Sequence, residues 1–223
     1  MVRADESHQV INSVFTPDEM QRAIGHVTTA NVERTKAGAR HVLNLPVVRT
    51  LANDPRVLEI ARGFVGATAA PFRATLFEKS PVANWLVVWH QDTALPLRRR
   101  TESAEWGPWS TKGGVLYAHA PAWALRQVIA LRISLDDSRS TNGPLRVLPG
   151  THRAGVLGDD EIERLSREVT PVDCVAPSGG IVAMQPLTLH ASSKATSEQP
   201  RRVLHIEYAA VLDFGSGIEL PVA

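Results

Sequence analysis

The chain has 223 residues, 43% of them hydrophobic and 21% charged, with a net charge of +1. These values are ordinary for a soluble globular protein with a sizeable core, and the balanced charge gives no reason to expect nucleic acid or an anionic membrane surface as a partner. The single cysteine, Cys174, excludes an internal disulfide, and no run approaches the roughly 18 apolar residues of a membrane span. MVRADESHQV carries no apolar leader, so the expected location is the cytoplasm.

In chain order, the first 70 residues read mainly as helix. Thr16-Pro17-Asp18-Glu19 is a capping box with proline at the first helical position, and Phe15 and Met20 are placed for a hydrophobic staple. Asn53-Asp54-Pro55 opens a second helix whose apolar stripe is Val57, Leu58, Ala61 and Phe64 or Val65, with Gly66 placed to end it. From Phe72 onward strands dominate, over 72–78, 85–92, 126–135, 144–148, 171–176, 180–185 and 201–211. Asn142-Gly143 supplies a chain reversal, Asp159-Asp160-Glu161 opens a short helix over 159–167, and Cys174 reads as a buried thiol in an alternating strand.

Residues 93–123 mix proline and glycine with Trp106, Trp109, Tyr117 and His119. A long irregular segment within a compact domain is often a lid. Trp109, Tyr117 and His119 are therefore candidate substrate-pocket residues, with ordinary packing as the alternative. Arg98-Arg99-Arg100 reads as a solvated loop face, or as an attractor for an acidic substrate. The predicted fold is mainly β with flanking helices, an antiparallel sandwich or jelly roll. One domain is expected over 1–223: bracing helices over 1–70, and a jelly-roll core over 71–212 that carries the 93–123 lid.

The most informative motif is His90-Gln91-Asp92. On a strand, side chains two residues apart share a face, so His90 and Asp92 project together while Trp89 and Gln91 point away. Such a triplet arises by chance about once in a chain of this composition, so its setting decides. Trp85-Leu86-Val87-Val88-Trp89 favours a strand running into His90, and a second strand-like approach ends on His190. Two histidines and a carboxylate can form the facial triad of non-haem iron(II) oxygenases, which leaves positions open on the metal.

Three stretches, WHQD (89–92), NGPLRVLPGTHR (142–153) and HASSKATSEQPRR (190–202), make the chain resemble the phytanoyl-CoA dioxygenase family of iron(II)- and 2-oxoglutarate-dependent oxygenases. The resemblance spans roughly residues 70–210. It implies a double-stranded β-helix (cupin-like), with His90, Asp92 and His190 as catalytic metal ligands. Arg201, eleven residues after His190, and Ser192, two after it, are then the residues that hold the far carboxylate of 2-oxoglutarate. Many relatives carry asparagine where this chain has Ala195.

Lys79 is a further candidate for a cosubstrate or substrate carboxylate, or else a solvated strand-edge lysine. Arg202 rivals Arg201, since adjacent strand residues face opposite ways and periodicity does not choose between them. The implied cofactors are Fe(II), 2-oxoglutarate and O₂. The implied reaction is hydroxylation of a small molecule with release of succinate and CO₂, and Asp92 distinguishes it from halogenation. A different cupin-type metalloenzyme, isomerase or hydrolase, and a non-catalytic jelly-roll binding module are the alternatives. Oligomeric state is not legible.

Overall fold

The computed structural model describes residues 6–221; the first five residues, part of the stretch searched above for a leader, and the last two lie outside the described residues. Chain order begins with β1 (His8–Ile11), α1 (Pro17–Thr29), β2 (Gly38–Arg40), α2 (Pro46–Ala52) and α3 (Pro55–Val65). Strands β3 (Ala70–Lys79), β4 (Val87–His90), β5 (Ala94–Leu97), β6 (Trp109–Lys112) and β7 (Val115–His119) follow. The rest is α4 (Ala122–Leu125), β8 (Val128–Ser134), β9 (Leu145–Val147), α5 (Asp159–Glu168), β10 (Val172–Cys174), β11 (Ile181–Met184), β12 (His190–Ser192) and β13 (Arg201–Ala209).

The helix starts follow from local chemistry. Thr16 caps α1 by accepting from Glu19 N, and Glu19 Oε2 accepts in return from Thr16 N at 2.7 Å. Asp54 caps α3 through Arg56 N at 2.9 Å, and the Arg56 guanidinium reaches both Asp54 and Glu19 at 2.8 Å, joining the two starts. Gly66, at φ +97°, ends α3. Helix α2 was not anticipated, although Pro46 stands at its first turn.

Antiparallel strands form a six-stranded sheet ordered β1-β11-β8-β13-β3-β2, facing a four-stranded sheet ordered β10-β9-β12-β4. This is the jelly-roll arrangement expected from the strand pattern. Alternation divides the larger sheet cleanly. Leu76, Ile129, Leu131, Ile133, Leu204, Ile206 and Tyr208 face outward and form one buried core with Met20, Val27, Val48, Val57 and Ile60 of the helices. Each such side chain contributes about 1.5–3 kcal/mol relative to exposure, so this face anchors the helices to the sheet. The inner face, carrying Arg201, Val203, His205 and Glu207 on β13, turns toward the smaller sheet. At one end the gap is filled by Leu145, Val147, Cys174, Val182 and Met184. Burial pushes the Cys174 thiol up to about 12, so it packs as an inert apolar group.

Two expectations need correction. The first 70 residues also supply β1 and β2, the two edges of the large sheet. Strands of four and three residues are specified by the free hydrogen-bonding edges of β11 and β3 more than by their own pattern.

Residues 93–123 are not irregular throughout, although 98–108 form no helix or strand. They contain a three-stranded antiparallel sheet ordered β5-β7-β6, with Leu95, Leu97, Trp106 and Ala118 in a core shared with Phe72, Val128, Ile218 and Leu220. Gly113 and Gly114, both at positive φ, form the two-residue reversal between β6 and β7. That Gly-Gly turn was readable in the sequence.

Candidate active site

The register of β12 on β4 sets His190 directly opposite His90, which brings the two rings to 4.2 Å between centres. Asp92 lies just past the end of β4, its backbone N–H donating to Pro186 O at 3.0 Å. Its carboxylate then stands 3.8 Å from His90 Nε2 and 3.4 Å from His190 Nε2. Three potential ligand atoms, one from each residue, lie within 4.8 Å of one another. Each imidazole donates its Nδ1–H to a backbone carbonyl two residues earlier, Val88 O at 2.8 Å and Thr188 O at 2.9 Å. Both Nε2 lone pairs are thereby left toward the carboxylate. A fixed tautomer with a free Nε2 is how a histidine is prepared for a metal.

Electrostatics match that use. Burial, then His190, holds the His90 pKa below its ordinary value, so the ring is neutral and able to ligate near pH 7. Burial would raise the Asp92 pKa, but His190, His205 and His90 together outweigh it and hold the carboxyl well below the usual range. Gln91, by contrast, points away: it donates to Gly155 O and Leu187 O and accepts from Leu157 N, joining three segments.

The three residues open onto a cavity of about 140 Å³ between the two sheets. Arg201 reaches into it and is 2% exposed, while Arg202, on the other face of β13, makes a two-pronged pair with Asp136 at 2.7 and 2.8 Å. Arg201 Nε is buried without a hydrogen-bond partner among the described residues. A buried charged donor left unmatched is costly, which points to an anion that completes it. Burial, followed by Arg132, lowers the Arg201 pKa to about 9, so it remains a cation at neutral pH.

Lys79 pairs in register with Arg201 and is 1% exposed. Its Nζ donates to Ser192 Oγ at 2.7 Å and to Ser193 O, so it is not a solvated edge residue. Ser192 Oγ lies in the cavity wall but spends its proton on Gly143 O at 2.9 Å, and meets a carboxylate as donor only by turning from that carbonyl. Gly143 itself is at φ +67°, where a Cβ would run into Ser193 O and stand 2.9 Å from Lys79 Nζ. Gly143→Ala is expected to lower stability by about 1–3 kcal/mol in chemical denaturation. An unchanged midpoint would show that the loop relaxes freely.

Burial, then Arg201 and Arg132, pushes the Lys79 pKa from 10.5 down to about 7. Between those values the unfolded chain binds a proton that the folded, ligand-free chain does not. This lysine therefore makes stability rise with pH from about 7 to about 10.5, and its full destabilisation is present below that window. Lys79→Met is expected to flatten the rise. A wild-type slope in the variant would assign the dependence elsewhere.

The structure does not bring Trp109, Tyr117 or His119 to this cavity. Trp109 packs on the three-stranded sheet with the Arg100 guanidinium 5.8 Å from its ring centre. Tyr117 is held between Arg73 and Lys112, at 5.6 and 5.4 Å, and the exposed His119 hydrogen-bonds Thr93 Oγ1 at 2.7 Å. Their segment is committed to its own core, and no residue of 93–123 is among those lining the cavity. Arg98 and Arg99 engage Glu219 and Gly217 O at the surface.

Sequence reasoning missed Arg73, Phe77 and Trp85 in the wall, and Arg132 and His205. Period two counted from Lys79 and from Arg201 reaches Phe77, Arg73 and His205. Arg132, a charge inside the apolar run Val128–Ile133, was a signal left unread.

Known proteins with this architecture include the crystal structure of EctD from S. alaskensis with 2-oxoglutarate and 5-hydroxyectoine, at TM-score 0.71 and 20% identity over 98% of this chain and 78% of that one. HygX from Streptomyces hygroscopicus, with nickel and 2-oxoglutarate bound, matches at TM-score 0.66 and 19% identity over 92% of this chain and 83% of that one. L-proline trans-4-hydroxylase of Streptomyces griseoviridis is 30% identical over 52% of this chain and 52% of its own length, so the chain matches about half of that curated relative. The family model for phytanoyl-CoA dioxygenase (PhyH) matches residues 8–203. With that match running from β1 into β13 and taking in His90, Asp92, His190 and Arg201, the chain belongs to the phytanoyl-CoA dioxygenase (PhyH) family.

Proposed function

We propose that this protein is an iron(II)- and 2-oxoglutarate-dependent oxygenase that hydroxylates a small molecule. The observation that carries the reading is Arg201, a buried guanidinium with an unmatched N–H in the same cavity as two histidines and a carboxylate. His90, Asp92 and His190 hold the metal through Nε2, a carboxylate oxygen and Nε2. Arg201, with Lys79 beside it, holds the far carboxylate of 2-oxoglutarate, since a guanidinium forks onto a carboxylate with charge-assisted hydrogen bonds. When bound, iron and 2-oxoglutarate supply the oxidation, using O₂ to give succinate, CO₂ and a hydroxylated product.

The protein's share is placement. The Val88 and Thr188 carbonyls fix the two rings, Ser192 Oγ and Ser193 O steady Lys79, and Phe77, Trp85 and Leu145 give the wall an apolar surface that limits water. The likeness to a proline hydroxylase supports a small-molecule substrate. Among the described residues no helix is long and apolar enough to cross a membrane.

Anaerobic titration with Fe(II) and then 2-oxoglutarate tests this reading. A weak visible charge-transfer band is expected on addition of 2-oxoglutarate, and succinate on admission of O₂. Iron binding without the band overturns the reading in favour of another metalloenzyme. Absence of both leaves a binding module.

A further inference from the structure

Arg132 is a buried charge that neither metal nor cosubstrate accounts for. It lies in β8, all of whose residues are buried, and alternation turns it to the inner face, where it lines the cavity with His90, Asp92 and His190. Among the described residues its hydrogen bond is from Nη1 to His205 Nδ1 at 2.9 Å, its guanidinium stands 5.3 Å from the Phe77 ring centre, and it makes no ion pair with a carboxylate. His205 brings no compensating charge: burial, then Arg132, holds its pKa well below the ordinary value, so it is a neutral acceptor. The neighbouring arginines differ, Arg73 being paired with Glu207 and Arg202 with Asp136.

In the assembled site the other charges pair off. The two positive charges of iron(II) and the one on Arg201 are balanced by Asp92 and the two carboxylates of 2-oxoglutarate. Arg73 is balanced by Glu207, and Lys79 is held by Ser192 Oγ and Ser193 O beside Arg201, at the far carboxylate of the cosubstrate. Asp92 also acts on Arg132 through space, but its charge is committed to the metal, so Arg132 is left over. A buried cation without a counter-charge is destabilising by several kcal/mol, so a site that keeps one is built for an anion that arrives later. Position separates it from the cosubstrate anchor: Arg132 pairs in register with His205, four residues along β13 from Arg201, about 13 Å of strand.

We propose that Arg132 recognises an anionic group on the substrate, so that the substrates are small organic acids, amino acids included, held by a carboxylate while a C–H bond faces the metal. The inference rests on the oxygenase reading of this cavity and adds the substrate class to it.

The test uses the full chain loaded with Ni(II), a redox-inert stand-in for iron(II), and 2-oxoglutarate. Acid and neutral amide are compared in pairs: L-proline with L-prolinamide, benzoate with benzamide, and cyclohexanecarboxylate with its amide. At least one acid is expected to raise the thermal midpoint in a concentration-dependent way, with its amide at least about tenfold weaker. Arg132→Met should erase the acid–amide difference while calorimetric 2-oxoglutarate affinity changes by less than about threefold, and Arg132→Lys should restore part of it.

Amides that match their acids across all pairs overturn the proposal, and this comparison needs no variant. So does an Arg132→Met protein that loses 2-oxoglutarate affinity as Arg201→Ala does, which would put this arginine on the cosubstrate. Failure of the metal-loaded protein to bind 2-oxoglutarate at all strikes instead at the oxygenase reading.

Discussion

Asp92→Ala is expected to abolish hydroxylation and to weaken iron(II) binding by more than the 10–100-fold typical of losing a group that merely supports a ligand. The carboxylate is the one anionic donor of the three, and it stands 3.4 Å from His190 Nε2 and 3.8 Å from His90 Nε2. Without it, two imidazoles and no anionic donor face a divalent cation beside Arg132 and Arg201, whose field repels it. Iron(II) retained on equilibrium dialysis, together with succinate formed from 2-oxoglutarate, reads the outcome. Wild-type turnover by this variant would falsify the assignment of the triad. Asp92→Glu keeps the charge but lengthens the arm, so it should recover part of the metal binding and little of the turnover.

For Arg201→Ala the expected result is selective: affinity for 2-oxoglutarate falls by about 10–150-fold, the equivalent of losing one charge-assisted carboxylate pair of about 1.5–3 kcal/mol. Iron binding remains, because Arg201 supplies no ligand atom. Arg201→Lys should not rescue the variant, since an ammonium cannot present the paired donors of a guanidinium. Stability is expected to move the other way from function. Arg201 is 2% exposed with an unpartnered Nε, so Arg201→Met should leave the ligand-free protein at least as stable as wild type. Charge-transfer titration gives the affinity and thermal denaturation the stability. Unchanged 2-oxoglutarate affinity would move the anchor to Lys79 or Arg132.

Much of this was legible in the residues themselves. Thr16-Pro17-Asp18-Glu19 and Asp54-Pro55 declare their helices because capping is local chemistry. His90 and Asp92 share a direction because a strand has period two, and the apolar residues before His90 identify the strand. The link from that pair to His190, a hundred residues on, came from family resemblance. Its physical form, the cross-strand pairing of His190 with His90, is tertiary.

Lys79 shows the limit most plainly. A lysine at the end of an amphipathic strand reads equally as solvated or buried, and only the arrival of Ser192 and Ser193 from β12 makes it a buried cation. The 93–123 segment erred in the other direction. Its prolines and aromatics suggested a loose cover, but Trp106, Leu95 and Leu97 close a core with Ile218 and Leu220, more than a hundred residues away.

By itself, then, the sequence determined the helix starts, the run of strands, the shared face of His90 and Asp92 and the absence of an internal disulfide, all of which depend on neighbours a few residues apart. Tertiary structure decided between Arg201 and Arg202. Both carry the same charge on the same strand, and the alternation Val203, Leu204, His205, Ile206 allows either face to be the inner one. The choice is made by α1, α2 and α3, which cover Leu204, Ile206 and Tyr208 with apolar side chains and leave Arg201, His205 and Arg132 the face that meets His90, Asp92 and His190. A strand fixes which residues lie together, and only what packs against it fixes which side is the inside.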